Sequence, residues 1–379
     1  MAAASAGPWS RGCAAALLVT AVAACGGGSE PASPAAPTPT PVTSAPEVTA
    51  TSTVEGAIDL SAPETVTTGL EAPWGLAFLP GGDALVAERD SGKIVRVRAE
   101  GGGKQGVYAL DDVVASGEGG LLGLAVSPEY ATDQMVYAYY TAADENRIVK
   151  FRLDGGKPEV VFDGIAKNTY HNGGRIAFGP DGLLYVGTGD AGDTSSSQDA
   201  DSVNGKILRL TPDGDPAPGN PENGSPVYSL GHRNVQGLAW DSEDRLYASE
   251  FGQNELDELN RIEPGRNYGW PEVEGEGDTD GGKFTNPLQT WSTDDASPSG
   301  IAIAGDTVHM AALKGQRLWS IPLNDGDSGS PTASFENEYG RLRTVAVAPD
   351  GSLWLTTSNT DGRGETREGD DRILRFPTS

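Results

Sequence analysis

The chain has 379 residues, a formal net charge of −27 and no basic run, so a nucleic-acid partner is disfavoured on electrostatic grounds. Its 52 glycines and 26 prolines point to many turns joining short strands. Both cysteines, Cys13 and Cys25, lie near the front, which excludes a disulfide inside the remainder.

The first predicted element is a leader over residues 1–24. Arg11 precedes an apolar run from Cys13 to Ala24 that is too short to span a bilayer and ends in small residues, the grammar of a secretory signal. Val22-Ala23-Ala24-Cys25, followed by Gly26, resembles a bacterial lipobox. That reading predicts a lipidated Cys25 and an extracytoplasmic protein that meets the membrane only through its lipid anchor; a plain secretory signal is the rival. Residues 25–59 are rich in Pro, Ala, Thr, Ser and Gly, cannot bury a core and are expected to form a disordered tether.

From residue 60 to 379 the sequence repeats one unit six times. Each copy opens with a short strand holding a small residue between apolar ones: Gly75–Phe78, Gly123–Val126, Arg175–Phe178, Gly237–Trp240, Gly300–Ile303 and Thr344–Val347. A turn follows, such as Pro180-Asp181-Gly182, then a second strand (Leu184–Val186 in that copy) and a third (Ile207–Leu210). Weaker fourth strands follow in most copies, including Val107–Ala109, Val160–Phe162 and Val227–Ser229. The last copy stops after its third strand, and Thr65–Thr68 from the front is left to complete it. Four-stranded units repeating at about 50 residues predict an all-β fold, a six-bladed β-propeller of antiparallel blades whose ring is closed by an N-terminal strand.

This repeat has a geometric consequence. The loop before the first strand and the loop after the second lie on the same face of the ring. Before first strands sit Glu118, His171, Arg233-Asn234, Arg341 and Arg343; after second strands sit Asp190, the run from Glu250 to Asn254, and Lys314. An imidazole with a carboxylate to orient it makes a general base, and four cations together suit an anionic ligand. The third histidine, His309, occupies the strand position held elsewhere by Tyr185, Tyr247 and Trp354, so it is read as packing, and His232 as support for the Arg233 loop.

Glu118-Gly119-Gly120-Leu121-Leu122-Gly123, His171-Asn172-Gly173-Gly174-Arg175, Gly189-Asp190, Leu230-Gly231-His232-Arg233-Asn234 and Asn267-Tyr268-Gly269-Trp270-Pro271 stand together in one chain. On these motifs residues 65–379 resemble the soluble pyrroloquinoline-quinone (PQQ)-dependent glucose and aldose sugar dehydrogenases. The resemblance implies a six-bladed propeller that oxidises an aldose at its anomeric carbon and passes electrons to an external acceptor. It implies His171 as general base, Asp190 as its orienting partner and Arg233 on the quinone oxygen. It further implies Asn234, Lys314, Arg341 and Arg343 as holders of the carboxylated cofactor, and Ca2+ on the backbone carbonyls of Gly252 and Gln253. Two departures stand out: Gln253 replaces a proline common in the glucose enzymes, and Glu118 replaces a glutamine that contacts substrate. Two other readings stay open, a calcium-dependent propeller lactonase or other hydrolase, and a cell-surface binding propeller without activity.

Overall fold

The computed structural model describes residues 56–379. The leader, Cys25 and most of the tether lie outside the described residues. Six antiparallel sheets follow one another around a ring. Blade 1 holds Pro73–Phe78, Ala84–Glu88, Lys93–Val97 and Lys104–Ala109, and blade 2 holds Leu121–Val126, Met135–Thr141, Asn146–Arg152 and Glu159–Ile165. In blade 3 the strands are Ile176–Phe178, Leu184–Gly187, Lys206–Leu210 and Val227–Leu230; in blade 4, Val235–Trp240, Leu246–Glu250, Leu256–Ile262 and Gln289–Ser292. Blade 5 runs Pro298–Ala304, Thr307–Ala312 and Arg317–Asn324, then departs from the simple repeat. Its outer edge is split between Asp327–Ser328, which forms a hairpin with the end of the third strand, and Thr332–Ser334.

Blade 6 confirms the predicted closure. Its own strands are Leu342–Val347, Leu353–Thr357 and Ile373–Phe376, and Glu64–Thr67 adds the fourth, antiparallel to the third. Arg375 and Glu64 form an ion pair across this seam. The strand from the front of the chain covers the edge of Ile373–Phe376 that another chain could otherwise join. Just before that strand, Ile58 pairs with Thr378, and Asp59 N–H donates to the Pro377 carbonyl at 2.8 Å.

The register explains the small residue repeated in every first strand. Ala77, Ala125, Ala177, Ala239, Ala302 and Ala346 lie opposite Leu85, Tyr137, Tyr185, Tyr247, His309 and Trp354 respectively. A methyl group on one strand makes room for a large side chain on its neighbour, and the pair fills the layer between blades. Blades also approach closely at their inner strands: a Cβ on Gly123 would lie 2.2 Å from the Gly174 carbonyl oxygen. These contacts fix the six first strands around a narrow axis and hold the loops at their ends in place.

Candidate active site

The loop that enters blade 3 carries His171, whose backbone sits at φ 57°, in the left-handed region that a non-glycine residue seldom adopts. Three contacts hold it there. Its N–H donates to Glu118 Oε2 at 3.0 Å, and its carbonyl accepts the Ala191 N–H at 3.1 Å. Gly189 packs against the same carbonyl so closely that a Cβ there would lie 1.9 Å from it. A glycine at 189 is therefore a condition of the His171 conformation.

The imidazole Nδ1 lies 2.7 Å from Asp190 Oδ1. Asp190 leaves the second strand of the same blade, and its N–H is fixed by the Arg233 carbonyl at 2.9 Å. Its carboxylate also accepts the Gly192 N–H at 2.7 Å and the Trp270 indole N–H at 2.9 Å. Burial pushes the Asp190 pKa up, but the hydrogen bonds from His171, Gly192 and Trp270 outweigh it and hold the group below its ordinary value. Asp190 is thus ionised at neutral pH and accepts from Nδ1–H, so that in the neutral tautomer it selects, Nε2 is the nitrogen with the lone pair. Tyr170 meets the ring edge-on at 4.6 Å and is itself exposed.

Blade 4 contributes the neighbouring loop. His232 is fully buried, stacked on Tyr268, with Nδ1 at 2.8 Å from Glu250 Oε1 and Nε2 at 2.8 Å from Ser229 Oγ. Glu250 Oε2 then accepts the Arg233 N–H at 2.8 Å. His232 is a scaffold for Arg233, as the sequence suggested. The Arg233 guanidinium lies over the Trp270 ring and donates through Nη1 to the Phe251 carbonyl at 3.1 Å. Burial lowers its pKa, against the pull of Asp190 and Glu274. Asn234 Oδ1 accepts the Gly173 N–H at 2.9 Å, which ties this loop to the histidine loop.

Two donors here remain without partners. Arg233 Nε and Asn234 Nδ2 are buried and make no hydrogen bond among the described residues. A buried donor left unpaired costs about 1–3 kcal/mol. Adjacent orphaned donors, one of them cationic, fit a ligand that brings its own acceptor oxygens. Blade 6 adds Arg341 and Arg343, which share Asp361 Oδ2 at 3.1 and 3.3 Å. Burial pushes the Arg343 pKa down to about 10, and Asp361 works against that fall. Two guanidiniums against one carboxylate leave a buried positive balance. That chemistry suits a polycarboxylate quinone such as PQQ.

Lys314 is placed differently. Its side chain is exposed and paired with Asp294, whereas Arg341 and Arg343 are buried on Asp361. Glu118 has both oxygens engaged, one on the His171 N–H and the other on Arg363 Nη1 at 2.9 Å. In the Gly252-Gln253 loop, Glu274 Oε1 gathers the N–H groups of Gln253, Asn254 and Glu255 at 2.6, 3.0 and 3.0 Å. A trans peptide points its carbonyl opposite to its N–H, so the carbonyls of Gly252 and Gln253 turn away from Glu274. Exposed backbone carbonyls are the kind of hard oxygen donor Ca2+ takes. Among the described residues no three His, Cys, Asp or Glu side chains gather as a metal site, so a cation here would rest on backbone oxygens.

Sequence reasoning missed Asp361, Arg363 and Glu274. Asp361 and Arg363 follow the second strand of blade 6, the loop class that already yielded Asp190, so the same rule would have found them. Glu274 comes from the long excursion between the third and fourth strands of blade 4, where the repeat offers no guide.

A family profile described as Glucose / Sorbosone dehydrogenase matches residues 70–374. Among solved structures, the PQQ-bound aldose sugar dehydrogenase from Streptomyces coelicolor is 58% identical with a TM-score of 0.82, covering 86% of this chain and 99% of that one. The aldose sugar dehydrogenase YliI of Escherichia coli is 27% identical over 77% of this chain and 89% of its own. Quinoprotein glucose dehydrogenase B of Acinetobacter calcoaceticus is 31% identical over 63% of this chain, which spans 59% of that relative. This chain belongs to the glucose/sorbosone dehydrogenase family, the sugar dehydrogenases that its motifs resembled.

Proposed function

We propose that the protein is a PQQ-dependent aldose sugar dehydrogenase that oxidises its substrate at the anomeric carbon to the lactone. The observation that carries the proposal is the His171–Asp190 pair at 2.7 Å beside the unpartnered donors of Arg233 and Asn234. PQQ, when bound, would supply a two-electron quinone as the hydride acceptor, to be reoxidised by an external acceptor. His171 Nε2 takes the proton of the anomeric hydroxyl, and Asp190 stabilises the imidazolium that results.

Arg233 and Asn234 would hold the quinone oxygens. Arg341 and Arg343 would hold carboxylates, and Lys314 would reach in from the rim on its flexible side chain. Ca2+ would be held by the backbone carbonyls of Gly252 and Gln253. Glu118 acts on the base itself by fixing its backbone, so its effect on the sugar is indirect. The lactonase alternative requires a carboxylate-built metal site, whereas this site offers guanidiniums.

Adding PQQ and Ca2+ to the purified protein and scanning aldoses with an artificial dye acceptor tests the proposal. Turnover that needs both additions and yields lactone is expected; no turnover with any aldose despite bound PQQ would overturn it. From the lipobox-like Val22-Ala23-Ala24-Cys25 we further propose that the protein is extracytoplasmic and held by a lipid on Cys25. Cys25→Ser should then move it from the membrane fraction to the soluble one without loss of folding.

A further inference from the structure

The face opposite His171 carries a second enclosure. The six first strands run away from the catalytic loops and end in turns containing Pro80, Pro128, Gly179 and Pro349, and between them lies a cavity of about 360 Å³. That is within the range of roughly 300–1,000 Å³ typical of small-molecule sites. Its wall is the same position of the repeat taken from each blade: Leu76, Leu124, Ile176, Leu238, Ile301 and Val345.

Arg175 closes the inner end. It leaves blade 3, donates Nε to the Gln236 carbonyl at 2.6 Å, and donates Nη2 to Thr344 Oγ1 at 3.1 Å. Thr344 belongs to blade 6, diametrically across a ring of six, so the side chain crosses the propeller axis. Its guanidinium lies 4.3 Å over Trp74. Arg175 is only 7% exposed, lines the cavity, and has no carboxylate partner among the described residues. Nη1 makes no hydrogen bond there either. A buried cation paired only to neutral oxygens is electrostatically unsatisfied, and Arg343 adds like-charge repulsion.

An apolar tube ending in one uncompensated cation has a definite complement. We propose that this cavity binds an unbranched, medium-chain monocarboxylate, its carboxylate on Arg175 and its alkyl chain along the six apolar side chains. From Arg175 to Gly179 an extended strand rises about 13 Å at roughly 3.3 Å per residue, which sets the depth available to the chain. The proposal is independent of the dehydrogenase reading, because the cavity opens on the other face and needs neither quinone nor calcium.

Isothermal titration of the full chain with decanoate, without PQQ, tests it, with decanol and decyltrimethylammonium as neutral and cationic controls. Decanoate is expected to bind at one saturable site, about tenfold or more tighter than decanol, the difference a charge-assisted hydrogen bond supplies. Arg175→Met should erase that preference. Val347→Trp, which fills the rim, should abolish decanoate binding while cooperative melting shows an intact fold. Absence of saturable decanoate binding, equal affinity for decanol, or decanoate binding unaffected by Val347→Trp would overturn the proposal. If Arg175→Met does not fold, the decanol comparison and the Val347→Trp variant decide it.

Discussion

The three histidines have three different environments, and each environment sets a different consequence of mutation. His171 faces the site with its Nδ1 committed to Asp190. His171→Ala should keep folding and cofactor binding and lower turnover by roughly 10²- to 10⁴-fold, the cost of a lost general base. His309 is buried opposite Ala302, with Nδ1 at 3.1 Å from Ser320 Oγ, and burial pushes its pKa down to about 4. The unfolded imidazole takes a proton near pH 6.5 while the folded one stays neutral to about pH 4, so stability falls as pH drops through that window. His309→Phe should remove this fall, about 3 kcal/mol at the acid end, as thermal or urea unfolding at stepped pH would show. His309→Ala should cost about 1–3 kcal/mol and keep turnover per folded molecule. The sequence distinguished these residues because His309 substitutes for an aromatic in a repeated register. It did not show that Glu118 is consumed by His171 and Arg363, since those contacts join three separate blades.

At the scale of elements, loops built on one plan converge although their sequences differ. The repeat predicted which loops share a face, and the contacts from Asp190 to His171 and from Arg233 to the Asp190 loop follow from that topology. The strands were legible because small and large residues pair across each blade. The excursion between Ile262 and Gln289 was not, because it obeys no period, yet it supplies Trp270 to Asp190 and Glu274 to the 253–256 loop. Burial pushes the Glu274 pKa up, but the N–H groups of that loop outweigh it and hold the carboxyl low. Glu274→Ala removes their common acceptor. It should weaken calcium-dependent activation by about tenfold or more, read as the Ca2+ concentration for half-maximal activity, with less effect on calcium-free stability. Equal calcium requirements in both proteins would separate this loop from the metal. Arg341→Ala should weaken PQQ binding more than Lys314→Ala, because Arg341 is buried on Asp361 while Lys314 stands exposed.

For the molecule as a whole, the ring depends on a strand from the front of the chain. A protein beginning at Gly69 would leave Ile373–Phe376 as an open edge and expose the ground covered by Val66. It should lose at least about 2 kcal/mol of stability and aggregate more readily, measured by chemical denaturation and light scattering. Acid should act on the site separately from the His309 effect. Asp190 and Asp361 both sit below their ordinary pKa values, so their contributions are full above about pH 4 and are lost as pH falls through the lower folded values. The ring, the seam and the base all serve one claim, that His171 deprotonates an aldose held against a bound quinone. Single-turnover mixing of the PQQ- and Ca2+-loaded protein with an aldose, followed by the cofactor's absorbance, tests that claim most directly when wild type and His171→Ala are compared at equal cofactor occupancy. The expected result is rapid reduction in the wild type and reduction slower by roughly 10²- to 10⁴-fold in the variant. Equal rates in the two proteins would contradict it.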